Sequence, residues 1–229
     1  MKYLALVIFL IASSSHAFDR LSVATAAGTR EQQLSLDYSR FWKIGGTRLY
    51  LGAGLRGTSQ WSSGQNFQTA PALLTKGQEG PQTIFLSDKK KNIDDLRLNS
   101  AQVTSINTVF QIFYDWTDTW GIGTNIDVFG GSFGKKQKAR YNPKSDDASF
   151  PETASARPTP VNLLLISEND RGSLNSEFYV RRNLGNNWGL KLAANFAFTE
   201  FTTTRRLRKD NDRFRHKSLL PSIGLTRDF

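Results

Sequence analysis

The sequence predicts an all-β fold: an antiparallel up-and-down transmembrane β-barrel of about eight strands. Three observations predict it. Apolar and polar residues alternate with a period of two through eight separate segments, the pattern of strands with one apolar face. Every second connection is a tight turn, and the long connections all fall at the opposite end. Four of the five tryptophans flank the tight turns. No apolar run of about 18 or more residues is present, so a transmembrane helix is not expected.

The N-terminus has the pattern of a secretory signal peptide over residues 1–17. Lys2 supplies the positive charge, Tyr3 to Ala12 is an apolar run, and Ser15-His16-Ala17 is a small-x-small site that places cleavage after Ala17. Residues 18–229 are then expected to form one barrel domain. The chain has no cysteine, which excludes a lipoprotein anchor and disulfide staples. Without Lys2, 29 basic residues face 20 acidic ones, a balance of +9. For an exported chain this favours an anionic lipid or lipopolysaccharide surface over nucleic acid.

The first segment, residues 20–28, puts Leu21, Val23, Thr25 and Ala27 on one side. The second, 33–42, opposes Leu34, Leu36, Tyr38 and Trp42 to Gln33, Ser35, Asp37 and Ser39. The third, 48–61, opposes Leu49, Leu51, Ala53, Leu55 and Trp61 to Arg48, Tyr50, Arg56 and Gln60. The fourth, 104–116, aligns Ile106, Phe110, Ile112, Tyr114 and Trp116 against Ser105, Asn107, Gln111 and Asp115. The fifth, 120–132, aligns Trp120, Ile122, Ile126 and Val128 against Asn125 and Asp127. The sixth, 174–184, sets Phe178, Val180 and Leu184 against Glu177, Tyr179 and Arg181. The seventh, 188–203, sets Trp188, Leu190, Leu192, Phe196 and Phe198 against Lys191, Asn195 and Thr199. The lengths suit tilted membrane strands of ~9–11 residues with some extension beyond the bilayer.

Tight connections follow strands two, four and six, at 43–47, 117–119 and 185–187. Long ones cover 62–103 and 133–173, with 204–213 after strand seven. Short periplasmic turns and longer external loops have this alternation. Trp42, Trp116, Trp120 and Trp188 would form the belt at the turn end, with Trp61 at the other. Two apolar runs inside the loops, Gln82 to Ser87 and Val161 to Ser167, read as loop hairpins or extensions above the bilayer. Ten strands would result if one long loop contained two crossings.

The eighth segment ends the sequence. Leu219, Pro221, Ile223, Leu225 and Phe229 alternate with small or polar residues, and only Arg227 interrupts the apolar face. In this stretch the chain resembles small bacterial outer-membrane β-barrel proteins of the OmpA/OmpX kind, whose final strand typically ends in Phe. The resemblance covers the expected mature chain by architecture and rests on no specific motif. It implies the outer membrane of a Gram-negative bacterium, surrounding membrane lipid as a partner, a monomer, and engagement of the outer-membrane assembly machinery through the last strand, with Phe229 as the signal. Arg227 departs from the aromatic or apolar residue usual two positions before the end.

Eight strands enclose a space that side chains can roughly fill. Asp37, Arg48, Arg56, Asp127, Glu177, Arg181 and Lys191 are expected to point into it and to pair, because unpaired buried charge is expensive. The alternative is a narrow anion-preferring, porin-like passage lined by Arg48, Arg56, Arg181 and Lys191. A second alternative is a soluble secreted lipocalin-like barrel with its apolar face turned inward. Arg205, Arg206, Arg208, Lys209, Arg213, Arg215 and Lys217 cluster around the last external loop. They are candidates for contact with anions such as lipopolysaccharide phosphates, with a hydrated loop as the other reading. Lys89 to Lys91 and Lys135, Lys136, Lys138 and Arg140 add charge on the same side.

His216 and Ser218 make a His-x-Ser pair that is similar to part of the His-Ser-Glu constellation of lipid A deacylases. No acid follows at a matching position, so catalysis is not expected. No metal constellation, nucleotide loop or cofactor site is apparent, and the basic loops lack the interleaved aromatics of a nucleic-acid binder.

Overall fold

The computed structural model of the chain describes residues 14–78, 86–143, 153–165 and 169–229. It is an all-β antiparallel sheet of eleven strands. In chain order these are β1 (Ser14–Ala27), β2 (Glu31–Ile44), β3 (Leu49–Thr69), β4 (Asp95–Asp115), β5 (Trp120–Phe133), β6 (Gln137–Asn142), β7 (Thr153–Pro158), β8 (Val161–Leu163), β9 (Leu174–Gly185), β10 (Trp188–Thr203) and β11 (Arg213–Asp228). One helical turn, α1 (Ala72–Thr75), lies in the β3–β4 connection. Among the described residues, no helix is long and apolar enough to cross a membrane.

Eight strands close a ring. β1 to β5 pair in succession, β5 pairs with β9, β9 with β10, β10 with β11, and β11 returns to β1. The eight predicted segments are these strands. Closure leaves no strand edge in the ring, so every ladder group finds a partner.

The burial pattern of the ring is inverted relative to a soluble sheet. On β2 the buried positions are Glu31, Gln33, Ser35, Asp37 and Ser39, while Leu34, Leu36 and Tyr38 are exposed. On β4 the buried positions include Ser105, Asn107 and Gln111, against exposed Ile106, Phe110, Ile112 and Tyr114. On β11, Leu219, Ile223, Leu225 and Phe229 are exposed, and Ser218, Ser222 and Thr226 are buried.

The long connections are shorter than predicted, because the strands run past the expected ends. β3 continues to Thr69 and β4 begins at Asp95. The excess length builds a second, smaller ring. β3 pairs with β4, β4 with β6, β6 with β7, β7 with β10, β10 with β11, and β11 directly with β3 through Phe214↔Thr69 and Arg215↔Gln68. Here the polarity reverses to the ordinary soluble arrangement. Phe67, Leu96, Leu98, Ala139, Tyr141, Ala154, Ala156, Phe201 and Phe214 form an apolar core, and polar side chains face out.

The reversal has a local cause. On β3 the buried residues change from even positions (Arg56, Thr58, Gln60) to odd ones (Phe67, Thr69) across Gly64, which has a left-handed φ of 62°. On β4 the change falls at Asn99 and Ser100, both exposed. The switch of face and the reversal of polarity together leave the apolar residues on one parity, and the polar stretches Ser62 to Asn66 and Asn99-Ser100 between the two halves hid the outer ones from the sequence pattern.

Of the two loop runs, Val161–Leu163 is β8, which extends the sheet beside β5 (Phe129↔Leu163) and adds no crossing. Gln82 to Ser87 falls mostly outside the described residues, as do residues 1–13 of the expected signal peptide. Ser14 to Ala17 belong to β1, whose register shifts between His16 and Phe18.

Candidate functional site

The eight-strand ring brings six of the seven predicted interior charges inside. Asp37, Arg56, Asp127, Glu177, Arg181 and Lys191 are all buried. Arg48 is not among them. It precedes β3 in the turn after β2 and pairs at 3.1 Å with Asp118 in the turn after β4, both side chains being exposed. The alternation places Arg48 on the interior parity, but the chain has already left the ladder there.

Arg56 is the hub. Its guanidinium lies 3.7 Å from Asp37, 3.3 Å from Asp127 and 3.8 Å from Glu177. Lys191 Nζ reaches Glu177 Oε2 at 2.8 Å. The carboxylates are further satisfied by neutral donors. Gln111 Nε2 and Ser39 Oγ donate to Asp37 Oδ1, each at 2.9 Å. Asn107 Nδ2 donates to Asp127 Oδ2 at 2.8 Å, and Asn125 Nδ2 to Glu177 Oε2 at 2.8 Å. Neutral donors from β2, β4 and β5 thus hold the acids in place, as buried charge requires.

Nearer the tight turns, Asp228 receives Arg20 Nε at 2.6 Å and Arg181 Nη2 at 3.0 Å. The Arg20 guanidinium also sits against the rings of Phe18, Phe41 and Phe113, at 4.8, 5.0 and 4.4 Å from their centroids. Phe41, Phe113 and Tyr179 form a buried aromatic cluster that closes this end. Sequence reasoning missed it, since Phe41 and Phe113 occupy positions expected to be polar. The available signal was glycine: a Cβ at Gly52, Gly121 or Gly123 would press on the rings of Phe41, Phe113 and Tyr179 respectively.

The paired groups are equal in number: Arg20, Arg56, Arg181 and Lys191 face Asp37, Asp127, Glu177 and Asp228. The cavity left among Arg20, Asp37, Gln111, Tyr179 and Lys191 measures about 10 Å³, room for one water.

The tryptophans lie outside the ring. Trp116, Trp120 and Trp188 are exposed and Trp42 half-buried, all beside the tight turns, while exposed Trp61 stands toward the second ring. Arg227, the residue that interrupts the last apolar face, lies over the rings of Trp188 and Phe229 at 5.2 and 5.3 Å. Its charge is thereby held at the rim of an aromatic surface.

The C-terminal basic cluster is mostly turned to internal pairing, a correction to its reading as an outward anion contact. Arg213 and Arg215 both bond the fully buried Glu200 at 2.9 Å. Arg208 Nη2 bonds Asp94 Oδ1 at 2.7 Å, beside the Tyr141 hydroxyl, which donates to Asp94 Oδ2 at 2.8 Å. Burial and that hydrogen bond push the Tyr141 phenol up. Arg206 pairs with Asp210, and Lys209 donates to Asn92. Arg205 is exposed, and exposed Lys217 has its ammonium 5.7 Å from the Phe198 centroid. The physical reason is that β10 and β11 extend through this region, so the arginines become ladder neighbours of Glu200.

His216 has an acid that the linear sequence hid. Glu31 Oε2, from β2, lies 3.6 Å from its Nε2, and its Nδ1 is 3.1 Å from the Asn66 carbonyl. The buried Ser218 hydroxyl acts on the Glu31 carboxyl, and among the described residues no hydrogen bond joins it to the imidazole. Beside His216 a cleft of about 350 Å³ opens between the β3–β11 seam and the residues around α1, lined by Asn66, Gln68, Asp88, Arg215 and Lys217 among others.

No family model matches the sequence, and no curated protein matches it. Among solved structures, the chain is similar to the toluene transporter TbuX of Ralstonia pickettii, with 10% identity, 87% of this chain and 68% of that one covered, and a TM-score of 0.28. A FadL homologue of Pseudomonas aeruginosa shares 13% identity over the same 87% and 68%, with a TM-score of 0.25. The toluene transporter TodX of Pseudomonas putida shares 9% over 92% and 77%, also at 0.25. Similarity at this level carries no argument about this chain's fold or activity.

Proposed function

We propose that the chain is an integral protein of a Gram-negative outer membrane, built as an eight-stranded transmembrane barrel of the small OmpA/OmpX kind with a closed lumen. Its role is structural or surface-interacting. The observation that carries this reading is the inversion of burial along single strands. One stretch of β4 hides Ser105, Asn107 and Gln111 and exposes Ile106, Phe110, Ile112 and Tyr114. The next stretch hides Leu96 and Leu98 and exposes Arg97. A hydrocarbon solvent around the first stretch and water around the second give this arrangement.

The dimensions agree. From Ile106 to Trp116 is ten residues, ~33 Å of strand and ~23 Å of height at a ~45° tilt, close to the ~25 Å apolar band of outer-membrane barrels. A soluble lipocalin-like barrel would turn the apolar residues inward, and here they face out. The pairing of Arg56, Arg181 and Lys191 with interior carboxylates supports a plug over an anion passage. Phe229 is exposed just past β11, which pairs with β1, and this supports engagement of the assembly machinery through the last strand.

The test is heat modifiability of the mature chain folded in detergent, with circular dichroism and planar-bilayer recording. The expected result is a mobility shift between boiled and unboiled samples, a β spectrum, and no ion conductance. A chain that is folded and monomeric in plain buffer overturns the membrane reading, and stepwise conductance overturns the plug.

A further inference from the structure

The unpaired positive charge of the outer ring lies away from the C-terminal cluster, on the outward face of β4, β6 and β7. Arg97 on β4 stands directly opposite Arg140 on β6. Lys138 is the outward neighbour of Arg140 along β6, diagonal to Arg97. One step beyond the pair Gln137↔Ala156, Lys136 comes beside Arg157 of β7. All five side chains are exposed, and none forms an ion pair among the described residues. Like charges opposed across a ladder destabilise a sheet, and hydrogen-bonding neighbours or acids would be the ordinary remedy. The sequence instead places cation beside cation twice on one small facet.

The facet starts at the apolar wall. Phe133, the last residue of β5, is 57% exposed, and Lys136 follows three residues later. Arg97 lies five residues beyond Gln102, the ladder partner of the exposed Trp61, ~12 Å above it at the strand rise and a ~45° tilt. Phospholipid headgroups extend only ~5–8 Å past the hydrocarbon on each side. A ladder of cations reaching that far matches a taller anionic headgroup anchored in the same leaflet. Resting on the membrane reading above, we infer that the β4–β6–β7 facet binds the phosphates of a multiply phosphorylated glycolipid in the outer leaflet. Guanidinium groups suit phosphate because they donate two parallel hydrogen bonds.

The experiment uses the mature chain folded in a zwitterionic detergent. Its probes are rough lipopolysaccharide with a phosphorylated inner core, the same material dephosphorylated, and soluble polyphosphate. Retained lipid is read by native mass spectrometry, and folding by the heat-dependent gel shift. The expected result is retention of the phosphorylated lipid over the dephosphorylated one. In R97Q/R140Q retention falls roughly tenfold, the effect of two exposed charge contacts. The same variant is expected to unfold at a higher temperature, because a like-charge pair has been removed. K43Q/R48Q, which removes the same charge at the turn end, keeps retention. Equal retention of both lipids, equal loss in K43Q/R48Q, or binding of soluble polyphosphate in place of lipid overturns the inference. A missing gel shift in the wild type overturns the membrane reading itself, so the two failures are distinguishable.

Discussion

Arg56 and Asp127 face each other inside the eight-strand ring, Nη1 to Oδ1 at 3.3 Å, with side chains 3% and 0% exposed. Around them Asp37 and Glu177 complete a site in which one guanidinium answers three carboxylates. Removing the cation strands the acids. Arg56→Met is therefore expected to cost about 3–5 kcal/mol, the range for breaking a buried pair from one side. R56M/D127N should recover part of the loss, since it removes one stranded charge as well. Urea unfolding of the detergent-folded chain measures both, and an R56M midpoint equal to wild type would show that the network is not stabilising.

The aromatic closure depends on glycine. Gly123 on β5 lies under the Tyr179 ring, with no room for a Cβ. Gly123→Ala should cost about 1–3 kcal/mol by overpacking. In a Tyr179→Leu background the same change should cost less, because the ring it displaces is gone. A thermodynamic cycle on the four proteins checks this, and additive effects would rule out the contact.

The ring was legible in the sequence because its two faces keep one polarity each from end to end. One face is apolar and exposed throughout and the other polar and buried, so Leu34, Leu36 and Tyr38 against Gln33, Ser35 and Asp37 carry an unbroken period of two. The second ring was illegible for the opposite reason. Its strands continue β3 and β4 past a change of face at Gly64 and at Asn99 and Ser100, so Phe67 and Leu96 keep the parity of Trp61 and Ile106 but turn inward, beyond polar stretches that interrupt the apolar row. Pairing partners far apart in sequence were illegible too. Nothing local to Arg215 announces Glu200, and nothing local to His216 announces Glu31. Charge clusters read along the chain therefore overestimated the outward charge of residues 205–217 and passed over Arg97 and Arg157.

Glu31 lies one ladder step beyond Trp61, pairing with Ser62, outside the expected apolar band. Burial raises its carboxyl, but the hydrogen bond and charge of His216 outweigh this, so it sits below the ordinary carboxylate value. A depressed folded pKa stabilises above the unfolded value of ~4.3, and that stability is lost as pH falls through the lower folded value. The urea midpoint should drop across that acid window, and Glu31→Gln should flatten the drop. An unchanged acid limb in E31Q would mean that Glu31 carries no part of it.

Asp94 ties three connections together above the second ring. Its carboxylate accepts Arg208 Nη2 at 2.7 Å and Nε at 3.0 Å from the β10–β11 connection, and the Tyr141 hydroxyl at 2.8 Å from β6. The Asp94 amide in turn donates to Thr69 Oγ1 at 3.0 Å at the end of β3. Asp94→Ala keeps that amide bond and removes the other three, leaving the half-buried Arg208 and the buried Tyr141 hydroxyl without their acceptor. The expected effect is local, because the ladders of the eight-strand ring contain none of these contacts. Amides of β6 and of residues 204–212 should exchange roughly tenfold faster or more, the consequence of losing about 1.5–3 kcal/mol per charged hydrogen bond in a locally opening unit. The gel shift of the ring should persist. Hydrogen exchange read by mass spectrometry separates the outcomes: faster exchange confined to the outer ring supports the clasp, and loss of the gel shift would show that Asp94 serves the whole ring.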